Sequence, residues 1–317
     1  MHVVVWQTVH ALRRCFLMPV RLLLEFMTIM KQLHWGHGFR QQCQLDFTRI
    51  IKRHLSRPDR TVRSAGSLLK HQRYRIIAAK SRMEQWEEPV QKRWNDINLF
   101  TMTRGINRFK ALEIALKEID QSYIKIDGID ILSEWVSNAK ELSNQNLKNE
   151  IEKNPGNILK KALAWSEAVN IEIGKLPDEE KKPFEGVKES LEAIHKAADV
   201  AIVSSANQQA IVEEWETYGL LEYTDILLSQ NAGSKAFCIG KLLEFGYDAK
   251  KVLMIGDAPG DRDAAQKNGV LYYPILVKRE KESWEHIQEE ALNRFLNNTY
   301  DGEYQQDMLK RFEENLK

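Results

Sequence analysis

An α/β fold built on a parallel sheet, with a separate helical region ahead of it, is what this sequence predicts. Three observations carry that prediction. After Pro183, short apolar runs alternate with helix-patterned stretches of about ten residues, the pattern of βαβ units. The runs are apolar at consecutive positions and not at every second one, as expected of strands covered on both faces. Hydroxyl, lysine and carboxylate residues then follow the ends of these runs, at the sheet edge where open α/β folds bind ligands.

In chain order, Val187, Leu191 and Ile194 mark a helix, Val200 to Val203 a strand and Ile211 to Tyr218 a helix. Ile226 to Leu228 is a strand, Phe237 to Phe245 a helix and Val252 to Ile255 a strand. Helix Gly260 to Asn268 and strand Leu271 to Val277 complete a core expected over residues 182–280. Trp284, Ile287, Ala291 and Phe295 stand at helical spacing, so residues 281–317 are expected as helices packed on that core. Upstream, residues 84–181 form the helical region. Phe109, Leu112, Leu116 and Ile119 make one apolar stripe, and Leu132, Trp135, Ala139 and Leu142 a second. Asn154-Pro155-Gly156 breaks the pattern, and Asn157 is placed to cap a third helix from Ile158 to about Val169. Gly174 to Pro177 and the charge run Asp178 to Lys182 read as an exposed linker and hinge.

The first quarter is different. Net charge over the 317 residues is +1, yet residues 1–83 hold 16 Lys+Arg against 3 Asp+Glu, leaving 30 against 42 in the remainder. Residues 1–83 also prefer Arg, 12 to 4 Lys, whereas the rest uses 7 Arg and 23 Lys. Their apolar residues keep no sustained period, so this basic segment of uncertain origin is expected to pack poorly and to be trimmed first by proteases. Over residues 49–82 the only aromatic is Tyr74, so no stacking platform interleaves the charge and nucleic acid is not the expected partner. The run Cys15 to Met30 is too short and too charged to span a bilayer. Three scattered cysteines, without CxxC or paired His/Cys spacing, point away from disulfides and structural zinc and towards a reducing cytoplasm.

The chemistry concentrates at three strand ends. Val252-Leu253-Met254-Ile255-Gly256-Asp257-Ala258-Pro259-Gly260-Asp261 is a buried strand, a tight loop and a helix start, with two carboxylates spaced to offer oxygen ligands to a hard cation such as Mg²⁺. On a structural reading, Asp257 braces the turn and Asp261 favours the helix N-terminus. Ser204 and Ser205 follow the strand Val200 to Val203, with hydroxyl and N–H groups for phosphate oxygens. Lys235 opens the helix after Ile226 to Leu228 and suits the charge of a phosphoryl group.

This ordered series resembles the haloacid dehalogenase superfamily of phosphohydrolases, over roughly residues 184–280. The resemblance implies a Rossmann-like core with an inserted helical cap, Mg²⁺ held by Asp257 and Asp261, and hydrolysis of a small phosphorylated substrate. It also implies that Ser204 and Ser205 bind the phosphoryl group, that Lys235 balances its charge, and that Lys235 and Asp257 serve catalysis. Residues 98–173 look like such a cap. Trp94 to Phe100 and Thr103 to Phe109 resemble the opening segment of the cap in a bacterial subgroup, where Arg104 and Arg108 would meet an anionic substrate.

One motif of the family has no match. Its first strand ends in Asp-x-Asp, nucleophile and general acid/base, and should precede the cap. Residues 1–97 contain only Asp46, Asp59 and Asp96, none after an apolar strand. Val3 to Trp6, within His2-Val3-Val4-Val5-Trp6-Gln7-Thr8, and Arg75 to Ala79 are the two short runs able to fill the strand's slot, and neither carries the carboxylates. Residues 1–83 are accordingly either a divergent genuine segment or the product of a frameshift, wrong start or fusion that replaced the first strand. The expected activity is an impaired phosphatase-like hydrolase. A catalytically silent relative that binds a phospho-ligand or protein, and a nucleic-acid-associated protein using the basic amino terminus, are the alternatives.

Overall fold

Four consecutive apolar residues, Val3–Trp6 (β1), lie in the middle of a parallel sheet with no solvent exposure. The structure is a computed structural model that describes residues 2–6, 86, 88–175, 182–204 and 208–317. The other strands are Asp199–Val203 (β2), Ile226–Leu228 (β3), Val252–Gly256 (β4) and Leu271–Pro274 (β5), in the spatial order β3-β2-β1-β4-β5. All neighbours are parallel. In register, Val4 stands between Val200 and Leu253, and Trp6 between Ile202 and Ile255.

Alternation along each strand splits the core into two layers. Val4, Trp6, Val200, Ile202, Leu253, Ile255 and Tyr273 face a layer with Val187, Leu191, Ile194, Trp215, Trp284 and Phe295. Val3, Val5, Ala201, Val203, Val252, Met254 and Tyr272 face Cys238, Ile239, Leu242, Ala264, Ala265 and Phe312. Burial on both faces is why these strands read as continuous apolar runs. Trp6 stacks on Trp284 with centroids 4.2 Å apart and meets Trp215 edge-on.

Residues 3–6 therefore do not follow the expectation of a poorly packed amino terminus. A four-residue strand covered on both sides shows neither a helical nor an alternating period, so pattern marks Val3 to Trp6 as a strand candidate without showing that it is packed. It fills the slot for which Arg75 to Ala79, outside the described residues, was the other candidate. Elsewhere the boundaries move slightly. The strand expected over Leu271 to Val277 stops at Pro274, which has no N–H to continue a ladder. The helix Asn157–Gly174 begins at the residue expected to cap it and runs past Val169. The helix Ile129–Asn138 ends before Ala139 and Leu142, so its buried residues are Leu132, Trp135 and Val136.

The chain divides into two compact units. The sheet unit takes residues 2–6, 95–107 and 172–317 of the described chain; the other takes 86–94 and 108–171 and lies between β1 and β2 in sequence. The second unit is helical. Its main helices are Arg108–Ser122, Ile129–Asn138, Asn144–Lys153 and most of Asn157–Gly174. Phe109 meets Trp135 edge-on, Trp94 meets Trp165 likewise, and Ser143 caps its helix by accepting from the Asn146 N–H. Among the described residues, no helix is long and apolar enough to cross a membrane.

Candidate functional site

The loop after β4 is built tightly. Asp257 leaves the strand, Pro259 takes the first helical position, and Asp261 turns back so that its Oδ2 accepts from the Ala258 N–H at 3.1 Å. This return brings Asp261 against the strand end: a Cβ on Gly256 would lie 2.5 Å from the Asp261 Cβ, so only glycine fits there. The Gly256 carbonyl accepts from the Ile275 N–H at 2.9 Å and from the Tyr272 hydroxyl at 3.0 Å.

Lys235 begins the helix Lys235–Glu244, whose cap is Ser234, and its Nζ lies 2.5 Å from the Asp261 Oδ1. Asp261 is fully buried, and that burial pushes its carboxyl up, against the pull of Lys235. Tyr272 beside it is also raised, by burial first and then by the Asp261 and Asp257 charges.

Asp257 has a partner that the sequence did not reveal. Arg104 donates from Nη2 to the Asp257 Oδ2 and from Nη1 to the Leu99 carbonyl at 2.8 Å, and both charged side chains are buried. Among the described residues, its buried Nε has no hydrogen-bond partner. The segment carrying it supports itself: Thr101 Oγ1 donates to the Asp96 carbonyl at 2.8 Å and Thr103 Oγ1 to the Ile97 carbonyl at 2.7 Å. Lys278 sits 4.3 Å over the Phe100 ring. Gly105, at φ +73°, brings the backbone so near that a Cβ would be 2.8 Å from that of Ala258. Arg108, four residues on, is spent inside the helical unit, donating to Ser166 and to the Asn170 Oδ1 at 2.6 Å.

Thus Lys235, Asp257 and Asp261 are brought together, and Arg104 joins them. Ser204 is buried at the same sheet edge, just past β2, and its N–H donates to the Leu228 carbonyl at 2.9 Å. Ser205 lies outside the described residues. A separate open cleft of about 320 Å³ occurs at the opposite edge, lined by His2, His195, Lys196, Asp199 and Asp225 among others. It is remote from the carboxylates, and the chemistry-bearing edge is the one that open α/β sheets use.

As arranged, the carboxylates are matched to protein cations and not to Mg²⁺. Lys235 and the Ala258 N–H take both oxygens of Asp261, and Arg104 takes one oxygen of Asp257. Among the described residues, no group of three or more His, Cys, Asp or Glu is suited to a metal ion.

Sheet order, the helical insertion after the first strand, and a lysine with paired carboxylates at the carboxyl edge define a Rossmann-like α/β class. The family model described as haloacid dehalogenase-like hydrolase matches residues 95–274, and the chain belongs to that family. Members of that superfamily generally use Mg²⁺. A comparison with curated proteins finds no match. Among solved structures, a HAD-superfamily hydrolase of subfamily IA from Geobacter sulfurreducens is similar at 17% identity and TM-score 0.30, covering 35% of this chain and 62% of that one. A HAD-superfamily hydrolase from Ehrlichia chaffeensis is similar at 18% identity and TM-score 0.29, covering 60% of this chain and 91% of the other. A haloacid dehalogenase-like protein from Agrobacterium tumefaciens is similar at 14% identity and TM-score 0.31, covering 54% and 74%.

Proposed function

We propose that the sheet's carboxyl edge binds a small phosphorylated ligand and that this chain hydrolyses phosphate esters only negligibly. The observation that carries the reading is the place of β1. It occupies the centre of the sheet, flanked by β2 and β4, where the family's nucleophile strand is expected, and the residues that follow it in sequence are Gln7 and Thr8. In sequence, Gln7, Thr8 and Val9 place no carboxylate directly after the strand to attack phosphorus or to protonate the leaving group. General acid catalysis alone contributes about 10²–10⁴-fold, and the covalent route is lost with it.

What remains supports binding. Lys235 supplies positive charge, and Ser204 stands at the end of β2 with a hydroxyl of the kind that holds phosphate oxygens. The resemblance assigns Mg²⁺ to Asp257 and Asp261; Arg104 and Lys235 compete with it there, so the ligand is held by this chain's own donors. Cysteine usage points to a reducing cytoplasm as the setting.

The test is steady-state hydrolysis of a generic aryl phosphate with Mg²⁺ present, for the unmodified chain and for a Gln7→Asp, Val9→Asp variant that restores Asp-x-Asp after β1. Negligible turnover by the unmodified chain is expected, together with a rise in melting temperature on adding tungstate that Lys235→Gln removes. Turnover at ordinary enzyme rates, abolished by Asp257→Asn, refutes impairment; no shift with tungstate refutes the binding site.

A further inference from the structure

We infer that Arg104 is the resident counter-ion of Asp257 and holds the position at that carboxylate which a divalent cation would need. The inference rests on reading this edge as the family's cation-and-anion edge.

A buried carboxylate needs a cation or donors around it. Asp257 obtains one from within the chain, since a guanidinium is charged at every working pH. The placement of Arg104 is fixed from several directions at once. Its Nη1 is tied to the Leu99 carbonyl, its backbone neighbour Gly105 fits against Ala258, and the Thr101 and Thr103 hydroxyls brace the turn that presents it. Mg²⁺ asks for oxygen ligands in near-octahedral geometry, usually one or two carboxylates with water and phosphate oxygens. With Asp261 engaged by Lys235 and Ala258, Asp257 is the carboxylate left to begin such a set, and the guanidinium already lies on it. A divalent ion on the same carboxylate would be repelled by the guanidinium charge.

The arrangement also accounts for a buried ion pair that a packing role alone would not select. Replacing such a pair by apolar residues is often neutral or stabilising, so a buried Arg–Asp contact at a ligand edge points to a use for the charge.

Mn²⁺ is the probe, followed by the electron paramagnetic resonance signal of the free ion with the intact chain. The unmodified protein is expected to show no tight site that depends on Asp257. Arg104→Met should bind Mn²⁺ more tightly than the unmodified chain, by about tenfold or more, and adding Asp257→Asn to that variant should remove the gain. Free guanidinium at low millimolar concentration should drive Mn²⁺ off the Arg104→Ala protein, and Arg104→Lys should bind no more Mn²⁺ than the unmodified chain. An Asp257-dependent Mn²⁺ site in the unmodified chain overturns the inference, and that measurement needs no variant at Arg104. If a correctly folded Arg104→Met or Arg104→Ala protein, checked by circular dichroism, gains no site, the inference also fails. Loss of tungstate stabilisation bears only on the phosphoryl-ligand reading and leaves the Mn²⁺ outcome as it stands.

Discussion

The ends of β1 and β4 are neighbours in one sheet, yet they carry opposite burdens. Past β4, the polar groups interlock: Asp261 reaches back to Ala258 and across to Lys235, and Asp257 holds Arg104. At β1 the last strand residue is Trp6, stacked on Trp284, and the next residues in sequence are Gln7 and Thr8. The same sheet position is thus kept by packing on one strand and by charge on the other. Packing selects the strand itself, because a central parallel strand must be apolar on both faces. It does not select the residue just beyond, where a ligand edge acquires its chemistry.

The widest separation of the two roles should come from moving one carboxylate along β1. Val4→Asp places a charge among fully buried residues of the central strand and should cost about 5 kcal/mol or more, enough to abolish cooperative unfolding in many domains. Gln7→Asp, immediately past the strand, should cost about 1 kcal/mol or less. Urea unfolding curves of the two variants decide this; equal losses would mean that the strand end is under the same packing demand as its middle.

On the β4 side, Gly256→Ala probes whether charge placement depends on close backbone approach. The added methyl meets Asp261 and should cost about 1–3 kcal/mol while displacing that residue from Lys235. A cost near zero by urea unfolding would show that the loop yields freely.

A smaller effect than at Gly256 is expected at the opposite sheet edge, which serves as a control. The Tyr247 hydroxyl donates to the Asp199 Oδ2 at 2.8 Å, and Tyr247→Phe should cost about 0.5–1.5 kcal/mol without touching the carboxyl edge. Burial, with the Asp199 contact, pushes the Tyr247 phenol up from its ordinary 10.0 to about 12. Its folded value exceeds its unfolded one, so its contribution is complete below pH 10 and is lost as pH rises through about 12. The phenylalanine variant should lack this alkaline arm when stability is followed between those values. An unchanged slope would remove the hydrogen bond from the account.

Much of the sheet was legible because β2, β3 and β4 are runs of Val, Ile and Leu with glycine, serine or aspartate at their ends. The convergence of Lys235, Asp257 and Asp261 was legible for the same reason, since each follows a strand and parallel strands end at one edge. Arg104 was readable as a cation near an anion, but not as the partner of Asp257, because the two are 153 residues apart and no local spacing links them. The central place of β1 was hidden differently. Four apolar residues beside a basic stretch have no period, and their identity as a strand comes from Val200 and Leu253, which they meet only in the folded sheet.

That long-range pairing has a consequence for assembly of the chain on the ribosome. β1 is synthesised first, but the strands on either side of it emerge roughly 200 and 250 residues later, and sheets closed by such distant contacts form slowly. At about 5–20 residues per second, Val3–Trp6 waits on the order of ten seconds or more before its first partner exists. Throughout that interval a Val-Val-Val-Trp segment is available to any other strand edge or chaperone, so the yield of native protein is expected to depend on how well the nascent chain is shielded.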